Sequence, residues 1–263
     1  MGQKNHDYLL SADLFGADAE RERARLKGIE ALWDPGSQSL LAELGLGSEW
    51  RCLEVGAGGG SLVKWMAGRG AAVTAVDIDT RFIEHLGSEN VDIRCLDIRT
   101  DALPPGEFDL IHTRLVLEHL CNRQQILGRL AATLRPGGLI VIEALDWSYF
   151  SWVPVVPALD AMSTAVLDYA EQAGGLDTSY GRHLLTALNE AGLADVRGQG
   201  RAHVIDVSCQ GFDFFKLTIE SLRQQLIDID ALSEAEAKTV DTCLRDRHLR
   251  INTPLMMAGI GRR

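Results

Sequence analysis

Arg51-Cys-Leu-Glu-Val-Gly-Ala-Gly-Gly-Gly-Ser61 decides the fold. Its first half is a short apolar run (Cys52, Leu53, Val55), its second a glycine cluster, and a helix-like stretch, Leu62 to Ala67, follows. That order predicts a strand, a tight turn and a helix. Gly56, Gly58 and Gly60 have no Cβ, so the turn can use positive φ and let a ligand touch the backbone. The helix beyond it presents free N–H groups at its start. Such a turn is a nucleotide cradle. A dinucleotide fold spaces its glycines G-x-G-x-x-G/A, whereas this chain runs Gly56-x-Gly58-x-x-Ser61. Glu54, two residues before Gly56, sits badly beside a pyrophosphate. It suits a ligand that carries an ammonium group and no phosphate.

Outward from this segment, strand-like and helix-like runs alternate from 40 to 145, which predicts a parallel sheet with helices on both faces. Right-handed crossovers place the carboxyl ends of the strands on one edge, and ligands bind there near the switch point in strand order. Glu54, Asp77, Asp97 and Arg114 each lie at such an end. Ala72-Val-Thr-Ala-Val-Asp77-Ile-Asp79 puts Asp77 twenty-one residues past Gly56, close to the roughly 20 of a ribose-binding carboxylate. Cys95-Leu96-Asp97-Ile98, the stretch Phe108 to Leu120, and Leu134-Arg-Pro-Gly-Gly-Leu-Ile-Val-Ile-Glu143 continue the series as a third strand, a fourth strand with its helix, and a turn with a fifth strand.

In this order the motifs resemble those of the class I S-adenosylmethionine-dependent methyltransferases, over about Leu40 to Leu145. The resemblance implies an α/β fold with a doubly wound, seven-stranded, mostly parallel sheet and S-adenosylmethionine as cofactor. It places Glu54, Gly56, Gly58 and Gly60 at the cofactor turn and Asp77, with Ile78, at the ribose hydroxyls. Asp97, with Ile98, takes the adenine amine. Thr113 and Arg114 face the methionine half, and Arg114 pairs either with the cofactor carboxylate or with an acid of the protein. The implied reaction is methyl transfer to an oxygen, nitrogen or carbon of a small molecule, as in bacterial secondary metabolism. Two alternatives keep the cofactor: another reaction, such as a cyclisation, or methylation of a protein or nucleic acid. Glu54 and the glycine spacing oppose a nicotinamide oxidoreductase.

Composition narrows the partners. Hydrophobic content of 46% and charged content of 24% are those of a soluble globular chain. The net charge of −11 argues against nonspecific binding to a nucleic-acid backbone. No run reaches the roughly 18 apolar residues of a membrane span, and the start, Met1-Gly-Gln-Lys-Asn-His, lacks a signal-peptide core. Five cysteines (52, 95, 121, 209, 243) form no C-x-x-C pair, so neither a disulfide framework nor a zinc site is expected, and Cys52 and Cys95 read as small core residues. A cytoplasmic protein with reduced thiols follows, free of membrane and compatible with a homodimer.

Residues 1–39 read as a helical N-terminal arm, with an apolar segment (Tyr8, Leu9, Leu10, Leu14, Phe15) before a helix from 18 to 33 that stops ahead of Asp34-Pro-Gly. Residues 40–263 form the cofactor domain. Its minimal version joins the sixth and seventh strands by a hairpin, whereas about 45 residues separate them here, and long connections over a site are commonly lids. The stretches 147–192 and 208–252 are therefore expected to form a helical cap, with Asp195 to Val207 as a strand between them.

Outside the cofactor motifs, Glu118-His119 follows the fourth strand, near the expected position of the transferred methyl. His119 is a candidate base and also a packing residue. A similar Glu-His pair occurs in quinone-pathway O-methyltransferases. Adjacent helical residues point about 100° apart and make poor joint ligands, so no metal is expected. His183 is a second candidate base, with a surface or capping role as its alternative, and His112 reads as structural. Trp147, Tyr149, Phe150 and Trp152 put four aromatics in six residues, and they are expected to wall the acceptor pocket, since aromatic walls suit a flat or apolar small molecule.

Overall fold

The structure, a computed structural model, describes residues 18–104 and 108–263. The segment holding Tyr8, Leu9, Leu10, Leu14 and Phe15 lies outside them. The chain divides into two compact units. The first takes residues up to Leu32, Trp147–Thr178 and Ala202–Leu255; the second takes Trp33–Asp146, Ser179–Arg201 and Met256–Arg263.

The second unit is built on a seven-stranded sheet. Its strands are β1 (Arg51–Val55), β2 (Ala72–Asp77), β3 (Val91–Cys95), β4 (Phe108–Arg114), β5 (Leu134–Asp146), β7 (Ala194–Arg201) and β10 (Leu255–Arg262), in the order β3-β2-β1-β4-β5-β10-β7. The pairs β1–β2, β1–β4, β2–β3 and β4–β5 are parallel, and β7 with β10 is antiparallel. The order reverses between β1 and β4, which sets the switch point at the end of β1.

Strand alternation sorts the core into two layers. Leu53, Val55, Ile111, Ile140 and Ile142 face α3 (Arg123–Thr133) and α5 (Tyr180–Glu190). Cys52, Val73, Ala75, Leu110 and Val141 face α2 (Ser61–Gly68) and the carboxyl half of α1 (Ala19–Glu43). Strands covered on both sides read as nearly continuous apolar runs, which is why β1 and β5 stand out in the sequence.

Four expectations change here. The helix expected to stop before Asp34 runs on to Glu43 with Pro35 inside it, held by side-chain contacts described below. No helix follows β4 directly. Leu115 takes a φ of 58°, rare outside glycine, and Leu117–His119 form a single 3-10 turn before α3 begins at Arg123. α5 belongs to the sheet unit and not to an insertion, because Tyr180, Leu184, Ala187 and Leu188 pack into the sheet's core and Gly181 abuts the backbone of Ala144 to Asp146. Cys52 is buried as expected, but Cys95 is exposed.

The first unit contains a three-stranded antiparallel sheet, β6 (Ser151–Val153), β9 (Arg250–Asn252) and β8 (Val204–Asp206), in that spatial order. The strand expected from Asp195 to Val207 is thus two strands, β7 and β8, in different sheets. Trp152, Ile251 and Ile205 sit side by side in register and are buried. α4 (Pro157–Gly174) packs on α6 (Phe212–Asp228) and α7 (Glu234–Cys243). α6 buries Phe212, Phe215, Ile219, Leu222 and Leu226, a three- and four-residue spacing that draws one apolar stripe. α7 starts with a capping box in which Ser233 and Glu236 satisfy each other's backbone N–H. Gly28 lets α1 approach the α6 backbone, since a Cβ there would lie 2.6 Å from Phe214 N. Among the described residues no helix is long and apolar enough to cross a membrane.

Candidate active site

The glycine turn has the geometry its sequence demands. Gly56, Gly58 and Gly60 have φ of 73°, 54° and 82°, and a Cβ on Gly56 would overlap Val116. Asp77, closing β2, is tied to this turn. Its Oδ2 accepts the Gly58 N–H at 2.8 Å and its Oδ1 the Asp79 N–H at 3.0 Å. Burial holds its carboxyl above the ordinary range despite these backbone bonds. Ile78, the next residue, is an exposed apolar side chain (49%).

At the end of β3, Asp97 pairs with Arg99 at 2.8 Å, and the Arg99 side-chain hydrogen bond pulls its carboxyl below the usual range. Asp101 accepts the Asp97 backbone N–H at 2.9 Å, so it braces this loop. Ile98 is buried in the core. Thr113 is also buried, and its Oγ1 has no hydrogen-bond partner among the described residues, the mark of a site that a bound group completes.

The ends of β1, β4 and β5 carry a buried ion cluster. Glu54 lies opposite His112 in the β1–β4 register, and the two are on the face covered by α1. His112 Nδ1 lies 2.7 Å from Glu54 Oε2, and its Nε2 lies 3.3 Å from Glu143 Oε2 on β5. Glu143 Oε1 accepts from Arg201 Nη2. The Ser37 hydroxyl accepts from Arg114 Nη1 at 3.0 Å and from Arg201 Nη2 at 2.9 Å, and it donates its one hydrogen toward Glu143. Arg114 Nη2 donates to Asp34 Oδ1 at 2.8 Å. Arg114 therefore pairs with an acid of the protein. Asp34, Ser37, Glu143 and Arg201 were not foreseen as members of one site.

Charge explains how this cluster tolerates burial. Desolvation alone would push the imidazolium of His112 down, but the Glu54 and Glu143 charges outweigh it and hold the pKa up at about 9. Burial would likewise raise Glu143, yet its bonds to His112 and the charges of His112, Arg201 and Arg114 bring it to about 2. Three carboxylates then face three cations. Unpaired, any one of them would be costly to bury.

Residues 19–197 match the family described as Methyltransferase domain. The chain belongs to that family, the class I S-adenosylmethionine-dependent methyltransferases. It is 30% identical over 193 residues to methyltransferase str3 of Strobilurus tenacellus, covering 71% of this chain and 68% of that protein. It is 34% identical over 110 residues to a ubiquinone biosynthesis O-methyltransferase of Idiomarina loihiensis, covering 39% of this chain but only 45% of the relative. An S-adenosylmethionine-dependent methyltransferase from Mesorhizobium loti shares the fold at a TM-score of 0.52 and 18% identity, covering 87% of this chain and 96% of that one.

S-adenosylmethionine is the cofactor of this methyltransferase family, and the residues present fit it. The turn takes the positive φ that its glycines allow, Asp77 is tied to it through the Gly58 N–H, and Thr113 has an unsatisfied hydroxyl. Glu54 has one oxygen bound to His112, while the other accepts no hydrogen bond from the described residues.

The remaining candidates separate. Glu118 is buried and His119 half-buried in the turn after β4. His183 is exposed on α5, within the sheet unit, away from the buried stripe of that helix. Trp152 is not open to a ligand, being 1% exposed with its Nε1 donating to Ser163 Oγ at 2.7 Å. Trp147 and Phe150 are half-buried and meet Phe215 of α6: the Phe150 and Phe215 rings stack at 5.5 Å and 22°, and Trp147 stands edge-on to Phe215 at 6.3 Å. Tyr149 is 57% exposed. Among the described residues no group of three or more His, Cys, Asp or Glu could hold a metal ion.

Proposed function

We propose that this chain transfers the methyl group of S-adenosylmethionine to a small molecule, at a hydroxyl or amine, in biosynthetic metabolism. The observation that carries this reading is the lock between Asp77 and the N–H of Gly58, which joins the ribose-binding acid to the glycine turn before any ligand arrives. S-adenosylmethionine supplies a methyl on a positive sulfonium. The protein's task is then to hold nucleophile, methyl and sulfur in line and to exclude water, a proximity effect worth up to roughly 7–11 kcal/mol.

An acceptor with a flat ring suits the half-buried rings of Trp147 and Phe150, the latter backed by Phe215. The partial match to a ubiquinone biosynthesis O-methyltransferase supports an oxygen as nucleophile. Such an oxygen needs a base, and His119, half-buried after β4, is the first side chain to test, with His183 second. The test is incubation with methyl-labelled S-adenosylmethionine and a panel of phenols and amines. Labelled product and S-adenosylhomocysteine should form in equal amounts. A converted acceptor without S-adenosylhomocysteine would replace methyl transfer by another reaction such as cyclisation, and label confined to protein or nucleic acid would replace the acceptor class. Replacing Trp147, Tyr149 or Phe150 by Ala should change which acceptors are used while cofactor affinity is nearly kept.

A further inference from the structure

We infer that His112 is a positioning residue for the cofactor: clamped between Glu54 and Glu143, it fixes the Glu54 carboxylate so that the free oxygen can receive the ammonium of S-adenosylmethionine. The inference rests on the cofactor reading above and assigns a role to a side chain that the methyl-transfer chemistry leaves unused.

The geometry carries it. His112 is fully buried on β4, and both of its ring nitrogens are engaged by carboxylates on neighbouring strands, Glu54 at 2.7 Å and Glu143 at 3.3 Å. A neutral imidazole has one N–H and can donate in only one direction; the protonated ring donates in both. The groups facing the ring are Glu54 and Glu143, and behind Glu143 stand Ser37, Arg201, Arg114 and Asp34. With His112 protonated the cluster is neutral. Without that proton it carries a net negative charge in a buried place, so the structure favours the cation.

A carboxylate has acceptor sites on both oxygens. At Glu54 the short contact from Nδ1 takes Oε2, and Oε1 accepts nothing from the described residues. Glu54 stands two residues before Gly56, at the switch point of the sheet. Fixing one oxygen sets the plane of the carboxylate, so Oε1 is aimed before binding and loses little freedom on taking the ammonium. Glu143 plays the anchoring part. Held by Arg201 and Ser37, it gives the ring a second fixed point.

The experiment compares two ligands that differ only at the amino-acid end. S-adenosylhomocysteine carries the ammonium, and 5′-methylthioadenosine is an adenosine thioether without it. Calorimetry on His112→Gln should show S-adenosylhomocysteine weakened about tenfold and 5′-methylthioadenosine unchanged. Glu54→Gln should show the same selectivity, and the double variant should lose no more than Glu54→Gln alone. Equal weakening of both ligands, or no weakening of either, would overturn the inference while leaving cofactor binding intact. If neither ligand binds the unaltered protein, the cofactor reading falls and takes the inference with it. Should His112→Gln fail to fold, nitrogen NMR of the histidine rings in the unaltered protein decides. The His112 ring should carry two N–H groups at neutral pH, and its signals should shift with S-adenosylhomocysteine and not with 5′-methylthioadenosine. A neutral ring, or equal response to both ligands, counts against the assignment.

Discussion

Carboxylates end several strands of this sheet, but they are held in two different ways. Glu54 and Glu143 are buried and gripped by side chains: an imidazole, guanidinium groups and a hydroxyl drawn from α1, β4 and β7. Asp77 is gripped by backbone N–H groups of its own turn and of the glycine turn, and Asp97 lies near the surface with Arg99, two residues away, as its partner. The first arrangement knits distant segments into a fold and, at Glu54, holds one oxygen while leaving the other out of the clamp. The second leaves Asp77 ready for a ligand, because backbone donors are fixed by the chain and cost no side-chain ordering. One sheet edge thus carries a structural region and a receptive region side by side.

The largest test is to break the knitted region. Glu143→Ala should leave Arg201 without its carboxylate and His112 with Glu54 alone, and cost about 3–5 kcal/mol, the range for removing one partner of a buried pair. Urea unfolding would show it, and a loss below about 1 kcal/mol, the level of a surface pair, would mean the cluster is not a structural unit.

Titration probes the same region without mutation. His112 has a folded pKa of about 9 against an ordinary 6.5, so its stabilisation is complete below the unfolded value and is lost as pH rises through the folded one. Glu143 is depressed to about 2 from 4.5, so its share is present above 4.5 and disappears as pH falls toward 2. Stability should therefore be highest between these windows and decline toward and above pH 9. The alkaline loss is at most about 3 kcal/mol, because a tenfold change in proton affinity is worth about 1.36 kcal/mol. His112→Gln should flatten the alkaline limb, and an unaltered limb in that variant would assign the titration elsewhere.

In the receptive region, Asp77→Ala should leave the fold intact and weaken S-adenosylhomocysteine by about 1.5–3 kcal/mol, the range for hydrogen bonds to a charged group. Its release of the Gly58 N–H should also loosen the turn, measurable as faster amide exchange at Gly58. Full affinity in folded Asp77→Ala would erase the contrast between the two regions. Asp97→Asn is the mildest case. It breaks a partly exposed pair with Arg99 and should change stability by under about 1 kcal/mol.

The glycine turn and Asp77 were legible in the sequence, and so were Glu54 and Arg114 as single residues, but the pairings of the knitted region were not. Glycines that need positive φ, and an acid at a set distance from them, are local signals, so the turn and Asp77 stand where expected. The ion cluster depends on partners far apart: Ser37 meets Glu143 and Arg201, and Asp34 meets Arg114. One trace was present, since His112 in Phe-Asp-Leu-Ile-His-Thr-Arg and Glu143 in Leu-Ile-Val-Ile-Glu interrupt apolar strands and each demands a counter-charge. A single sequence does not say which cation answers which acid. The aromatic group shows the same limit. Its four adjacent members were plain to see, but Trp152 went to the core and Phe215, more than sixty residues on, joined the stack.

The extension of α1 through Pro35-Gly36 has a consequence for the order of folding. Proline and glycine are the two poorest helix formers, costing about 3 and 1 kcal/mol relative to alanine, and the side chain of Arg201 lies where a Cβ on Gly36 would go. A synthetic peptide of residues 19–43 should be frayed from Asp34 onward. The last turns of α1 are then expected to form only once Arg114, Glu143 and Arg201 are assembled to receive Asp34 and Ser37. During synthesis that helix leaves the ribosome well before any of its three anchors, so its second half waits for the sheet that completes it.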